Sequence, residues 1–240
     1  MSSHATAPGR RSRRVLWINL ALVGAFLVVV GLAFALLRPG GASPAPGAAE
    51  TPGASAVPMV RDDSHVLGEP GTSGVTVVEF LDFECEACGA FYPLVESLRE
   101  QYAGEVTFVA RYFPLDGHRN SKTAAVAVEA AAQQGAFEAM YAKLFETQAA
   151  WGEQAESKAP LFREYAAELG LDLAAYDAAV ADPATLERVQ SDQADGYALG
   201  VQGTPTFFID DRMVQLQSYD DLGLAIEAAL ETREGDKGVG

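Results

Sequence analysis

The stretch that most constrains this chain runs from Val75 to Pro93 and reads VTVVEFLDFECEACGAFYP. A β-branched run, Val75-Thr76-Val77-Val78, continues through Phe80 and Phe83. It is apolar nearly throughout, the pattern of a buried strand. The run breaks at Cys85-Glu86-Ala87-Cys88, and a helical pattern containing Pro93 follows. The only two cysteines in 240 residues therefore stand three positions apart at a strand-to-helix junction. A thiol at the first turn of a helix faces unpaired backbone N–H groups and the positive end of the helix dipole, which favour the thiolate. Thiolate is the nucleophile of disulfide exchange. A second thiol one turn away can resolve the mixed disulfide that results. Glu79 interrupts the strand, and an acid there is costly unless it is hydrated, paired or functional.

Other uses of the pair are weighed against redox chemistry. A structural disulfide between Cys85 and Cys88 closes only a short loop and removes little chain entropy. Zinc needs about four ligands, whereas there is no second cysteine pair and His4, His65 and His118 are scattered. Two thiolates suit Cu(I), a soft cation, so a copper chaperone stays open beside the redox reading.

At the N-terminus, Arg10, Arg11, Arg13 and Arg14 precede an uncharged run from Val15 to Leu37. As a helix those 23 residues span about 35 Å, enough for a hydrocarbon core of about 30 Å. Asn19 and Trp17 fall near its start, where polar and interfacial side chains are tolerated, and Arg38 follows the run. The charge bias puts residues 1–14 in the cytoplasm and the rest of the chain outside. A cleavable signal peptide is the rival, but its apolar region is usually about 7–15 residues. The expectation is a single-pass anchor over 15–37, followed by a Pro/Gly/Ala-rich tether over 38–59 that cannot bury enough surface to fold.

The remaining residues, 60–235 with a short tail over 236–240, suit one domain. Nearly all the acidity is here: five of 17 basic residues lie at or before Arg38, and Glu50 alone of 33 acidic ones precedes the domain. A formal charge near −20 on this part argues against nucleic acid as a partner, because phosphate binding needs a basic surface.

Along the domain, Val66–Gly68, Val75–Phe83 and Val106–Phe113 read as strands, with a helix from Cys85 to about Tyr102 between the last two. A helical block follows: 122–133 capped by Asn120, 137–148, 161–169, a helix after Asp172, and one opened by Asp182-Pro183. His118, in the loop before it, reads as a solvated or structural histidine. The β pattern returns at Gly203–Ile209, entered through Pro205, with a partner at Met213–Leu216, and Ser218 with Asp221 resembles a capping box before a last helix. This is an α/β chain with a large helical insertion at about 117–199.

Three features together resemble the thioredoxin superfamily. They are Glu79-Phe80 followed by Cys85-x-x-Cys88, Pro93 five residues after the second cysteine, and the late Gly203-Thr204-Pro205-Thr206. The match is specifically to DsbA-type thiol–disulfide oxidoreductases in their membrane-anchored, Gram-positive or actinobacterial form. The resemblance implies a thioredoxin fold and no cofactor or resident metal. It makes Cys85 the exposed nucleophile, Cys88 the buried resolving thiol and Pro205 a cis-proline facing them. Thr204 offers backbone bonds to an extended substrate, and Glu79 is a buried carboxylate that takes the resolving thiol's proton. The implied substrates are reduced exported proteins, and the implied redox partner is a membrane quinone-linked thiol oxidase. A tethered reductase or isomerase is the alternative direction, and a redox-dead binding module the alternative class. One departure bears on direction: Glu84 and Glu86 flank Cys85, and two carboxylates beside a thiolate are expected to oppose it.

Overall fold

In the computed structural model the described residues are 57–237. The expected basic tail, the apolar span over 15–37, all but the last three residues of the tether and the final residues of the tail lie outside them. Among the described residues no helix is long and apolar enough to cross a membrane.

The strands are β1 (His65–Leu67), β2 (Thr76–Leu81), β3 (Thr107–Tyr112), β4 (Thr206–Ile209) and β5 (Arg212–Met213), in the sheet order β1-β3-β2-β4-β5. Strands β2 and β3 are parallel, so a crossover must join them; it is α1 (Glu86–Gln101), which runs unbroken through Pro93. The other pairings are antiparallel. Between β3 and β4 lie five helices: α2 (Ser121–Ala132), α3 (Phe137–Trp151), α4 (Ala159–Glu168), α5 (Leu173–Ala181) and α6 (Pro183–Ala198). A last helix, α7 (Asp220–Lys237), sets Leu222 and Ile226 into the core that also holds Phe207 and Ile209.

Alternation along β2 and β3 divides the core between the two faces of the sheet. Val77, Leu81, Phe108 and Ala110 face the larger cluster, with α1, α7 and the apolar sides of α2 to α6. Val78, Phe80, Val109 and Phe113 face a smaller one with Val201 and Phe208. Helix α6 comes close on that second face at Gly196, where a Cβ would stand 2.7 Å from the Phe113 ring. The insertion is tied to α1 and to the loop before it by aromatic packing, with Tyr92 stacked on Phe145 at 5.2 Å and Phe83 edge-on to Tyr141 at 5.9 Å.

Local signals act as their chemistry dictates at two helix starts. Asp172 accepts from the N–H groups of Ala174 and Ala175, and Asp182 accepts from Ala184 one residue ahead of Pro183. Elsewhere the structure differs from expectation. Asn120 precedes α2 but makes no side-chain cap. Its amide donates to the Gln154 and Glu156 carbonyls, and its oxygen accepts from the Lys158 N–H, so a long-range demand overrides the local one. Strand β5 stops at Met213 rather than Leu216. The folded part also begins earlier than a boundary at Met59 implies, because the Pro58 and Met59 carbonyls accept from the buried Arg111 guanidinium.

Candidate active site

Cys85 follows the end of β2 and serves as the N-cap of α1, with extended backbone and no side-chain cap of its own. Its N–H donates to the Asp82 carbonyl at 3.1 Å, and its carbonyl accepts the first helical bond from Gly89, also at 3.1 Å. Its sulfur is therefore held over the opening turn of the helix. Both thiols are free. The Cys85 sulfur donates to the Thr204 carbonyl at 3.3 Å across 119 residues of sequence. Thr204–Pro205 is a cis peptide bond.

The two sulfurs differ sharply. Cys88 is the hydrogen-bond donor that most lowers the Cys85 pKa. Against burial, the Thr204 side chain and the backbone N–H groups of Cys88 and Ala87 add to that effect, and Cys85 comes down to about 5. The Cys88 thiol moves the other way, well above the ordinary 9.0, through burial, its bond to Cys85 and the charge of Glu79. This is the pattern expected where helix-terminal donors collect on one sulfur and the second sits inside. Cys85 is less open than the sequence reading holds: it keeps 7% of its surface, against none for Cys88. The loop carrying Thr204 lies over it.

Glu79 lies in β2, the middle strand of the sheet, paired to Ala110 on one side and Phe207 on the other. It is buried, forms no ion pair, and one of its carboxylate oxygens has no hydrogen-bond partner. Burial first, then the charges of Glu96 and Cys85, raise its pKa from 4.5 to about 8. Among the described residues no ion pair makes this acid merely structural.

Glu84 corrects the expectation of a charge set against the thiolate. It is 1% exposed and turned into the helical insertion. One carboxylate oxygen accepts from the Asn120 N–H and the other from the Glu153 N–H. Glu86 is exposed to water. Neither is among the leading causes of the Cys85 shift.

Two supporting residues escape the sequence reading. Asp82, 1% exposed, accepts from the Glu84 and Leu115 N–H groups and meets His118 Nδ1 at 2.6 Å. His118 is thus tied to the redox loop; burial lowers its pKa, but the bond and charge of Asp82, with the charges of Cys85 and Glu84, raise it on balance. Gln148, on α3, donates to the carbonyls of Phe83 and Cys85. A second acid in the run FLDFEC was the available signal for Asp82. Gln148 has none, since a glutamine ending an amphipathic pattern looks like helix surface.

Beside Pro205, a cleft of about 380 Å³ is lined by Phe91, Leu216, Gln217, Ser218 and Tyr219. A hollow of about 460 Å³ includes Thr204, Pro205 and Thr206 in its walls, whereas two larger ones, of about 580 and 610 Å³, include neither cysteine nor Pro205. Among the described residues no group of three or more His, Cys, Asp or Glu is gathered to hold a metal.

Comparison with known proteins agrees with this geometry. The family model described as Thioredoxin matches residues 61–228. A thioredoxin-like oxidoreductase from Silicibacter pomeroyi superposes with a TM-score of 0.62 at 29% identity, over 74% of this chain and 98% of that one. BdbD from Bacillus subtilis gives 0.60 at 24% identity, over 69% and 92%, and shows the shared fold. Among curated sequences, a Na(+)/H(+) antiporter NhaA of Herminiimonas arsenicoxydans is 36% identical over 75% of this chain. The match covers 27% of that relative, so this chain corresponds to about a quarter of its length.

Proposed function

This chain belongs to the thioredoxin family, and from that premise we propose that it is a thiol–disulfide oxidoreductase, specifically a dithiol oxidase which introduces disulfides into exported proteins. The observation that carries the direction is the asymmetry of the pair, with Cys85 brought to about 5 while Cys88 is raised. A stabilised thiolate favours the reduced form, and a protein whose reduced form is favoured is an oxidant.

In the proposed cycle a substrate thiolate attacks the Cys85 sulfur of the oxidised pair. The Cys85–Cys88 bond breaks, a mixed disulfide forms, and Cys88 leaves as a thiolate that takes a proton from Glu79, a neutral acid below about pH 8. A second substrate thiolate attacks the substrate sulfur of the mixed disulfide, closes the substrate's own disulfide and releases Cys85 as thiolate. Two electrons have then passed from the substrate dithiol to the pair, and a membrane quinone-linked thiol oxidase removes them. Thr204 and Pro205 present backbone to an extended substrate, with Phe91 and Tyr219 alongside. The arginine cluster and the apolar run over 15–37 support a single-pass anchor with this domain outside the cytoplasm.

A redox titration of the Cys85–Cys88 couple against glutathione tests the direction. An oxidase equilibrates near or above the potential of the strongly oxidising thiol proteins, and a couple near −270 mV marks a reductase. Cys88→Ser traps mixed disulfides through Cys85 and Cys85→Ser does not; equal trapping overturns the assignment of the nucleophile. Protease added to intact spheroplasts releases a soluble domain, and protection of that domain overturns the orientation.

A further inference from the structure

Two backbone carbonyls of the loop that carries the redox pair are held from outside by one side-chain amide. Gln148 Nε2, near the end of α3, donates to the Phe83 carbonyl and to the Cys85 carbonyl, each at 2.8 Å. The Cys85 carbonyl already accepts from Gly89, so both of its lone pairs are engaged. The Phe83–Glu84 and Cys85–Glu86 peptide planes are thereby pinned to the insertion. The next N–H groups along the chain, those of Ala87 and Cys88, are the ones that favour the Cys85 thiolate.

A second observation points to the same contact. Gly89 lies in the first turn of α1, where glycine is disfavoured relative to alanine. A Cβ at position 89 would stand 2.0 Å from Gln148 Oε1 and 2.8 Å from its Cδ. Glycine is what leaves room for the amide.

We propose that Gln148 is a positioning residue for the redox pair: its amide fixes the Phe83 and Cys85 carbonyls so that the opening N–H groups of α1 stay aimed at the Cys85 sulfur, and Gly89 admits it. The proposal rests on the thiol–disulfide reading above and extends it to a residue of the insertion that touches neither sulfur. Without the clamp the peptide at Cys85 can tilt, the thiolate loses donors, and the reduced form loses part of its advantage. Glu79, Asp82, Glu84 and His118, the ionisable groups around the pair and its loop, are left in place in the variants below.

The test uses the full chain in detergent and four forms: wild type, Gln148→Met, Gly89→Ala and the double variant. Thiolate absorbance against pH and the equilibrium with glutathione are read for each. Gln148→Met, similar in length but without a donor, raises the Cys85 pKa by about 0.5–1 unit and makes the couple about 3- to 10-fold less oxidising. Gly89→Ala does the same by pushing the amide away, and in the Gln148→Met background it adds nothing further. A fall in melting temperature with no change in thiolate pKa or glutathione equilibrium reduces Gln148 to a structural brace and overturns the proposal. Full additivity of the two substitutions overturns the role given to Gly89. If Gly89→Ala does not fold, Gln148→Met alone decides. If the wild type fails to exchange with glutathione, the oxidoreductase reading falls, and the thiolate titration still decides the clamp.

Discussion

Glu79 and Arg111 stand almost back to back in the central sheet, on β2 and β3, where Glu79 pairs with Ala110 and Phe80 with Arg111. Both are buried, Glu79 at 4% exposure and Arg111 at 0%. On the Arg111 face the charge is fully answered. The guanidinium bonds Asp192 through Nε and one terminal nitrogen, reaches Asp195 and the Pro58 and Met59 carbonyls, and lies over the Phe80 ring at 5.1 Å. Asp192 in turn accepts from the Tyr112 N–H and pairs with Arg188. On the Glu79 face the carboxyl has no cation and one oxygen without a partner. A buried charge with partners holds a structure together; one left without them shifts its pKa and becomes neutral instead. The first serves the fold, and the second is available for chemistry beneath Cys88.

The largest expected effect breaks the paired side. Arg111→Met leaves Asp192 buried with only part of its compensation and costs about 3–5 kcal/mol of stability. For a domain of this size that is a fall in melting temperature of about 10 °C, read by calorimetry. The Cys85 thiolate pKa of the folded fraction stays where it is. A loss within experimental error would show that the hub is not what secures this face.

The unpaired side gives an effect of a different kind, spread over a range of pH. The folded pKa of Glu79, about 8, lies above the ordinary 4.5, so between those values the folded chain holds a proton that the unfolded chain has released. Its contribution to stability is complete below about pH 4.5 and is lost as pH rises through about 8, at up to about 1.4 kcal/mol per pH unit. Cys85, lowered from 9.0 to about 5, acts with the opposite sign in the reduced protein and masks part of this slope. In the oxidised protein, where no thiol titrates, denaturant titrations from pH 5 to 8 expose it, and Glu79→Gln flattens it. The same variant slows closure of the Cys85–Cys88 bond from a mixed disulfide by about tenfold or more, the low end of general acid–base contributions. An unchanged pH slope in Glu79→Gln would show the carboxylate to be ionised and solvated.

The sequence carries the unpaired side better than the paired one. Cys85, Cys88 and the Thr204-Pro205 step are rare residue types in a fixed order, and Glu79 is conspicuous because its neighbours in the strand are apolar. Alternation and helix-start chemistry likewise mark the strands and most of the helices. What they do not mark are partnerships across long separations. Arg111 finds Asp192 81 residues on, and Gln148 finds Phe83 65 residues back. Asn120 looks like an N-cap in isolation and is instead consumed by the loop at 154–158. Each is an ordinary polar residue whose meaning depends on what the fold brings to it. Glu84 is the sharpest case. Adjacent to Cys85 in sequence, it spends both oxygens on the insertion.

Glu84 therefore belongs with the answered charges, and its substitution extends the comparison. In Glu84→Gln one oxygen still accepts a backbone N–H, but an NH₂ group now faces the other donor and leaves it unsatisfied. The cost is about 1–3 kcal/mol, seen as a lower urea midpoint with an unchanged slope. A variant as stable as wild type would mean that one of the two bonds, to Asn120 or Glu153, contributes nothing.

Glu86 gives the smallest effect and isolates the surface from the interior. It sits one residue after Cys85 and is exposed, so its charge opposes the thiolate only through water. Exposed pairs of charges interact by about 0.2–1 kcal/mol, well under one pKa unit. Glu86→Gln should therefore lower the Cys85 pKa by no more than about 0.7 unit, and that difference should shrink as salt rises toward about 1 M, where the screening length falls to about 3 Å. The groups that bring Cys85 to about 5, namely the Cys88 thiol, the Thr204 side chain and the opening N–H groups of α1, act on its sulfur at hydrogen-bond range and should be nearly indifferent to salt. Thiolate absorbance against pH, at low and high salt, in wild type and Glu86→Gln separates the two contributions. A drop of a full unit that disappears in salt would mean that the acidic rim, rather than the buried contacts, governs how oxidising the pair is.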